Sequence, residues 1–171
     1  RAVAIAEAMA VGEKLQDVSM YTEKNKGTSL LEAIPAGKVA FVGFWTTWRK
    51  TNQKLIPELK RMIAKHPEVS FLNVADDKED YLWQKFLERE QLSWPQYRLT
   101  KRGLKHFTET YGQDATPFFV APDGTIVRVS SYLADMHKLM DKTASRMTRL
   151  YEQKQKKAAE QNPERKSKKG K

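Results

Sequence analysis

The chain of 171 residues carries 31 Lys or Arg against 21 Asp or Glu, a net charge of +10, with 40% hydrophobic residues and no cysteine. That length supports one domain with a proper core, and the missing cysteines exclude disulfides, thiolate metal sites and cysteine nucleophiles. No apolar run approaches the roughly 20 residues of a membrane-spanning helix.

Residues 1–11 are alanine-rich and read as a helical linker or the remnant of an upstream segment, with Ala8-Met9-Ala10 faintly like a signal-peptidase site. Residues 12–151 read as one domain. Its first part, Gly12 to Thr22 and Lys26 to Leu30, is a hairpin with Asn25-Lys26-Gly27 as turn. Val39 to Trp45 is a buried strand running into the polar turn Thr46-Thr47-Trp48-Arg49-Lys50-Thr51-Asn52. Leu55, Ile56, Leu59, Met62 and Ile63 then continue at helical spacing, predicting one helix from Asn52 to Lys65. Val69 to Ala75 is a second buried strand. Tyr81, Leu82, Phe86 and Leu87 mark an amphipathic helix, Ser93 to Leu99 is extended, and Gly103 to Tyr111 is a short helix ended by Gly112. Ala115 to Val127, with Pro122-Asp123-Gly124 at its centre, is an antiparallel hairpin. A last helix runs from Tyr132 to about Tyr151, with Leu133, Met136, Leu139, Met140, Met147 and Leu150 on its apolar face. Residues 152–171, with eight Lys or Arg against three Glu, hold half of the net charge and read as a basic, disordered tail.

Gly37-Lys38, the strand, Phe44-Trp45-Thr46-Thr47-Trp48 and the four residues after it resemble the thioredoxin family, specifically its TlpA-like branch of extracytoplasmic thiol-disulfide proteins. The resemblance spans Gly12 to Tyr151 in the right order. It implies an α/β thioredoxin-like fold, a central mixed sheet flanked by helices, with an N-terminal β-hairpin extension and a basic C-terminal tail. It also implies a cis peptide bond at Thr116-Pro117, packed against the turn. Where the family has C-x-x-C, this chain has Arg49-Lys50-Thr51-Asn52, and Gly43 stands where thioredoxins proper keep a buried Asp. Thiol-disulfide exchange needs an activated thiolate and a resolving thiol. A guanidinium and an amide supply neither.

The resemblance therefore implies a redox-inactive domain, not an enzyme, serving as a protein-binding or assembly module outside the cytoplasm, periplasmic or associated with the envelope. Substrates of the family lie as extended peptides across this turn and the cis-proline, which makes Trp48, Arg49, Lys50, Asn52, Thr116 and Pro117 the partner-binding positions. Trp and Arg are hot-spot residue types, and a free backbone edge at Thr116 suits strand addition. No small-molecule cofactor is implied. His66, His106 and His137 sit on different elements without metal-ligand spacing and read as surface histidines. Asp76-Asp77 with Glu79-Asp80 lies where α/β folds place ligands, yet reads first as a helix cap with dipole-favoured acids. Two other readings stand beside the binding module. One is a nucleic-acid- or ribosome-associated protein acting through its tail, whose charge also suits an acidic protein surface or anionic lipid, though no aromatic is interleaved there for base stacking. The other is an enzyme of unrecognised chemistry, with Arg49 holding an anion at the helix start.

Overall fold

The computed structural model describes residues 13–111, 117–128 and 136–161. Seven strands form one mixed sheet: β1 (Ser19–Tyr21), β2 (Gly27–Ser29), β3 (Ala40–Trp45), β4 (Ser70–Ala75), β5 (Gln96–Leu99), β6 (Phe118–Val120) and β7 (Ile126–Arg128). Their order is β2-β1-β5-β4-β3-β6-β7. The central three, β3, β4 and β5, are parallel, and the outer pairs are antiparallel. The helices are α1 (Leu30–Ala33), α2 (Lys50–Gln53), α3 (Ile56–Lys65), α4 (Asp80–Glu90), α5 (Lys101–Tyr111) and α6 (Met136–Glu160).

The sheet is buried on both faces, as parallel strands linked by helices require. Alternate residues divide the core. Phe41, Trp45, Phe71, Ala75 and Phe119 pack with Leu59 and Met62 of α3, Trp83 and Phe86 of α4 and Met147 of α6. Val42, Leu72, Val74, Phe118 and Val120 pack with Leu30, Phe107 and Tyr111 on the other face. The period of two along each strand explains this division.

The N-terminal hairpin forms as the sequence indicates, with Asn25 at a φ of 59° in its turn. Before it, the chain bridges Lys14 to Thr125 near the opposite sheet edge, with the Leu15 amide donating to the Gly124 carbonyl at 2.9 Å. Leu15 and Val18 then cover the core between the two edges. Gly103 is required where α5 meets β1: a Cβ there would lie 2.0 Å from the Ser19 carbonyl oxygen.

Three expectations are corrected. The helix from Asn52 to Lys65 is two, α2 and α3, broken at Lys54-Leu55. Pro57 is the cause, because it has no amide to donate to Gln53 and sits at the start of α3, where none is needed. The last helix does not stop at Tyr151. It runs to Glu160, so the first nine residues assigned to a disordered tail are helical, built from strong helix formers such as Ala158, Ala159 and several Gln and Lys. His66 is not a surface residue. It ends α3 at 7% exposure, its amide donating to the Met62 carbonyl and its Nδ1 lying 3.0 Å from Glu68 Oε1.

Candidate functional site

β3 ends in Trp45, and the chain leaves the sheet through Thr46 and Thr47 before α2 opens. Trp45 is buried against Phe86, so the strand is fixed up to its last residue. Beyond it the parallel neighbour β4 supplies two aspartates. The Asp76 amide donates to the Trp45 carbonyl at 3.0 Å, and the Thr46 hydroxyl donates to Asp76 Oδ1 at 2.5 Å. The Thr47 amide donates to Asp77 Oδ1 at 2.8 Å, and its hydroxyl donates to Asp77 Oδ2. From the helix side, Asn52 Nδ2 donates to the Thr46 carbonyl at 2.9 Å and Gln53 Nε2 to the Thr47 carbonyl at 3.1 Å. The turn is thus fastened from β4 on one side and from α2 on the other.

Asp77 is 3% exposed, and burial pushes its carboxyl above the ordinary range. The two Thr47 bonds pull the other way, and the Asp76 charge adds to the rise. This corrects the reading of the acidic cluster as a helix cap. Only Asp80 sits in the first turn of α4, while Glu79 at the cap position accepts no side-chain hydrogen bond. Asp76 and Asp77 are the anchors of the turn.

On this anchored base Trp48 stands 58% exposed, with the Arg49 guanidinium 5.6 Å above its ring centre. Arg49 is the N-cap of α2, and its carbonyl accepts from the amides of Asn52 and Gln53 at 3.1 Å each. Lys50 is exposed beside it. Four of the six predicted positions, Trp48, Arg49, Lys50 and Asn52, therefore share one turn. Asn52 is half-buried and spent on holding that turn. Pro117 is buried and immediately precedes β6; the Val42–Phe118 pairing places it at the C-terminal end of β3, the end that carries the turn. Thr116 lies outside the described residues, and with it the expected cis bond to Pro117; among the described residues no peptide bond is cis. The participation of Thr46, Thr47, Asp76 and Asp77 was not foreseen from the sequence, although the Thr pair and the Asp pair each end a parallel strand. Among the described residues, no three His, Asp or Glu side chains are grouped to hold a metal.

The strand order, the N-terminal hairpin and the helix-opening turn at the end of a central strand together define a thioredoxin-like protein. Solved structures with this fold include the thioredoxin domain of a thiol-disulfide oxidoreductase from Bacteroides vulgatus (TM-score 0.67, 23% identity, covering 78% of this chain and 96% of that one). Others are a thiol:disulfide interchange protein from Bacteroides sp. (0.66, 23%, 78% and 89%) and a secreted disulfide oxidoreductase of Mycobacterium tuberculosis (0.55, 19%, 75% and 92%). In sequence the chain is 25% identical over 126 residues to the thiol-disulfide oxidoreductase ResA of Bacillus thuringiensis subsp. konkukian and to that of Bacillus cereus, covering 71% of this chain and 70% of each relative. No protein-family model matches it. The chain thus has a thioredoxin-like fold and is similar in sequence to ResA thiol-disulfide oxidoreductases, and it has no cysteine at any position.

Proposed function

We propose that this domain has given up thiol-disulfide chemistry and serves as a protein-binding or assembly module outside the cytoplasm. Its surface is the turn at Trp48, Arg49 and Lys50 with Pro117 at the same end of the sheet, and its partner presents an extended segment. The observation that carries the reading is Trp48: a large aromatic, mostly exposed, with a neighbouring guanidinium over its ring, on a turn held by hydrogen bonds from both sides. Exposed Trp and Arg on a preorganised base are what an interface anchor needs, since little ordering remains to be done on binding. The compartment follows its relatives, one of which is described as secreted.

The test is co-purification from the native source, comparing the wild type, Trp48→Glu and a chain ending at Tyr151, alongside an insulin-reduction assay. The expected result is a protein partner that survives removal of the tail and disappears with Trp48→Glu, and no insulin reduction above background. Material held only through the basic end, or turnover of insulin by the wild type, would overturn it.

A further inference from the structure

A cleft of about 480 Å³ opens where β4 and β5 end and α5 begins, lined by Asp77, Lys78, Arg98, Leu99, Thr100, Lys101, Leu104 and Lys105. Its volume lies in the range of small-molecule sites. Its place, outside the carboxyl ends of adjacent parallel strands, is where α/β sheets hold ligands.

The charge of the cleft is unbalanced. Four of its eight lining residues are cationic and one is acidic. That acid, Asp77, is turned to Thr47 and has both oxygens occupied there. Arg98 is matched by Asp80 at 3.5 Å and lies over the Tyr21 and Trp83 rings, yet its buried Nε has no hydrogen-bond acceptor. Lys78, Lys101 and Lys105 form no ion pair within 4 Å among the described residues. Two of them, Lys101 and Lys105, lie in the first turns of α5, which has no acidic residue in its first turn. A helix start is the positive end of its dipole and favours anions, so cations gathered there are opposed by the helix that carries them. Thr100 satisfies the Gly103 amide at 2.9 Å, leaving the amides before it without an intrahelical acceptor. An anion in the cleft would relieve the repulsion among the lysines.

We propose that this cleft binds a small organic anion, a carboxylate or phosphate head on a short apolar body, with Lys78, Lys101 and Lys105 taking the head and Leu99 and Leu104 the body. The site shares Asp77 with the framework of the turn but includes none of Trp48, Arg49 and Lys50, so it stands or falls without them.

The test is a titration of the ¹⁵N-labelled full chain with phenyl phosphate and with hexanoate, using inorganic phosphate as the head without a body. The expected result is saturable shifts confined to Lys78 and to residues 99–105 for one of the two organic probes, which thereby identifies the head, with tighter binding than inorganic phosphate. Lys101→Ala with Lys105→Ala should weaken that binding at least about tenfold, since a single lost charge-assisted hydrogen bond is worth that much. Lys78→Ala, outside the helix, should weaken it without touching α5. Lys154→Ala with Lys156→Ala should change nothing. Unsaturable shifts spread over all exposed lysines, an affinity unaltered by the cleft variants, or a loss with the Lys154 and Lys156 pair would overturn the proposal.

Discussion

Asp77 and Asp123 fasten turns at opposite ends of the sheet, and their surroundings drive them in opposite directions. Asp77 is enclosed with donors from Thr47 and its own backbone amide and no cation paired with it, and burial raises its carboxyl above the ordinary 3.8. Asp123 is also pushed up by its partial burial. There, however, the Thr125 amide at 3.0 Å, the Thr125 side chain and the charges of Lys14 and Lys154 outweigh that push and hold it below 3.8. Lys14 stands 3.6 Å and Lys154 4.0 Å from its Oδ2. The β6–β7 turn is therefore neutralised by nearby cations. The turn after β3 is held without one, although Arg49 and Lys50 are only two and three residues from Thr47. Those cations face outward, and the turn's stability rests on hydrogen bonds that leave its exposed side chains uncommitted.

The largest contrast would come from restoring chemistry at one turn only. Arg49→Cys with Asn52→Cys puts a dithiol where relatives of this fold carry C-x-x-C, with the first thiol at a helix start that favours a thiolate. Insulin reduction should rise from background to a measurable rate in the double variant and not in either single one. A silent double variant would mean that the turn departs from the catalytic geometry. Next in size is the anchor itself. Asp77→Ala strands the buried Thr47 amide and hydroxyl and should cost about 3 kcal/mol. Asp123→Ala loses one amide bond and two ion pairs to mostly exposed lysines and should cost about 1 kcal/mol. Urea midpoints of the two variants measure the difference, and equal losses would remove the distinction between the turns.

Much of this was legible in sequence. Runs such as Val39 to Trp45 and Val69 to Ala75 announced buried parallel strands, Pro122-Asp123-Gly124 announced a hairpin, and Phe44-Trp45-Thr46-Thr47-Trp48 located the turn. What was not legible is non-local. Asp76 and Asp77 follow β4 by one and two residues, and only the pairing of β3 with β4 brings them to Thr46 and Thr47, 30 residues earlier. The basic cleft draws on a loop, a strand and a helix, none of them notable for charge alone. Pro57 and the helix-forming composition of residues 152–160 are local signals, but the apolar spacing runs across the first and stops before the second, so periodicity alone gives the wrong helix bounds.

The two carboxylates also give opposite pH signatures. A buried acid with a raised pKa binds more protons folded than unfolded, so its contribution to stability falls as pH rises from 3.8 through the raised value. An acid with a lowered pKa contributes stability that is present above 3.8 and lost as pH falls through the lowered value. Asp77→Asn keeps an acceptor for Thr47 and removes the charge, so the gain in stability with rising pH above 3.8 should become steeper. Asp123→Asn should flatten the acid limb below 3.8. Denaturant midpoints across a pH series read both, and a change of the same sign in the two variants would contradict the assigned environments.

The smallest effect belongs to the residue on which the proposed function rests. Trp48→Glu removes an exposed ring that contributes no buried contact to either core cluster. The Arg49 guanidinium over it is a solvent-exposed cation–π pair, worth about 0.5–1 kcal/mol at most, and the new carboxylate beside Arg49 offsets part of that loss. The expected change in unfolding free energy is within about 0.5 kcal/mol, the range of ordinary surface substitutions. Thermal melts of Trp48→Glu beside Asp77→Ala check this directly. A large destabilisation by Trp48→Glu would mean that Trp48 packs as part of the turn's framework, and the turn would then be like the Asp123 turn, a structural element with no anchor left over for a partner.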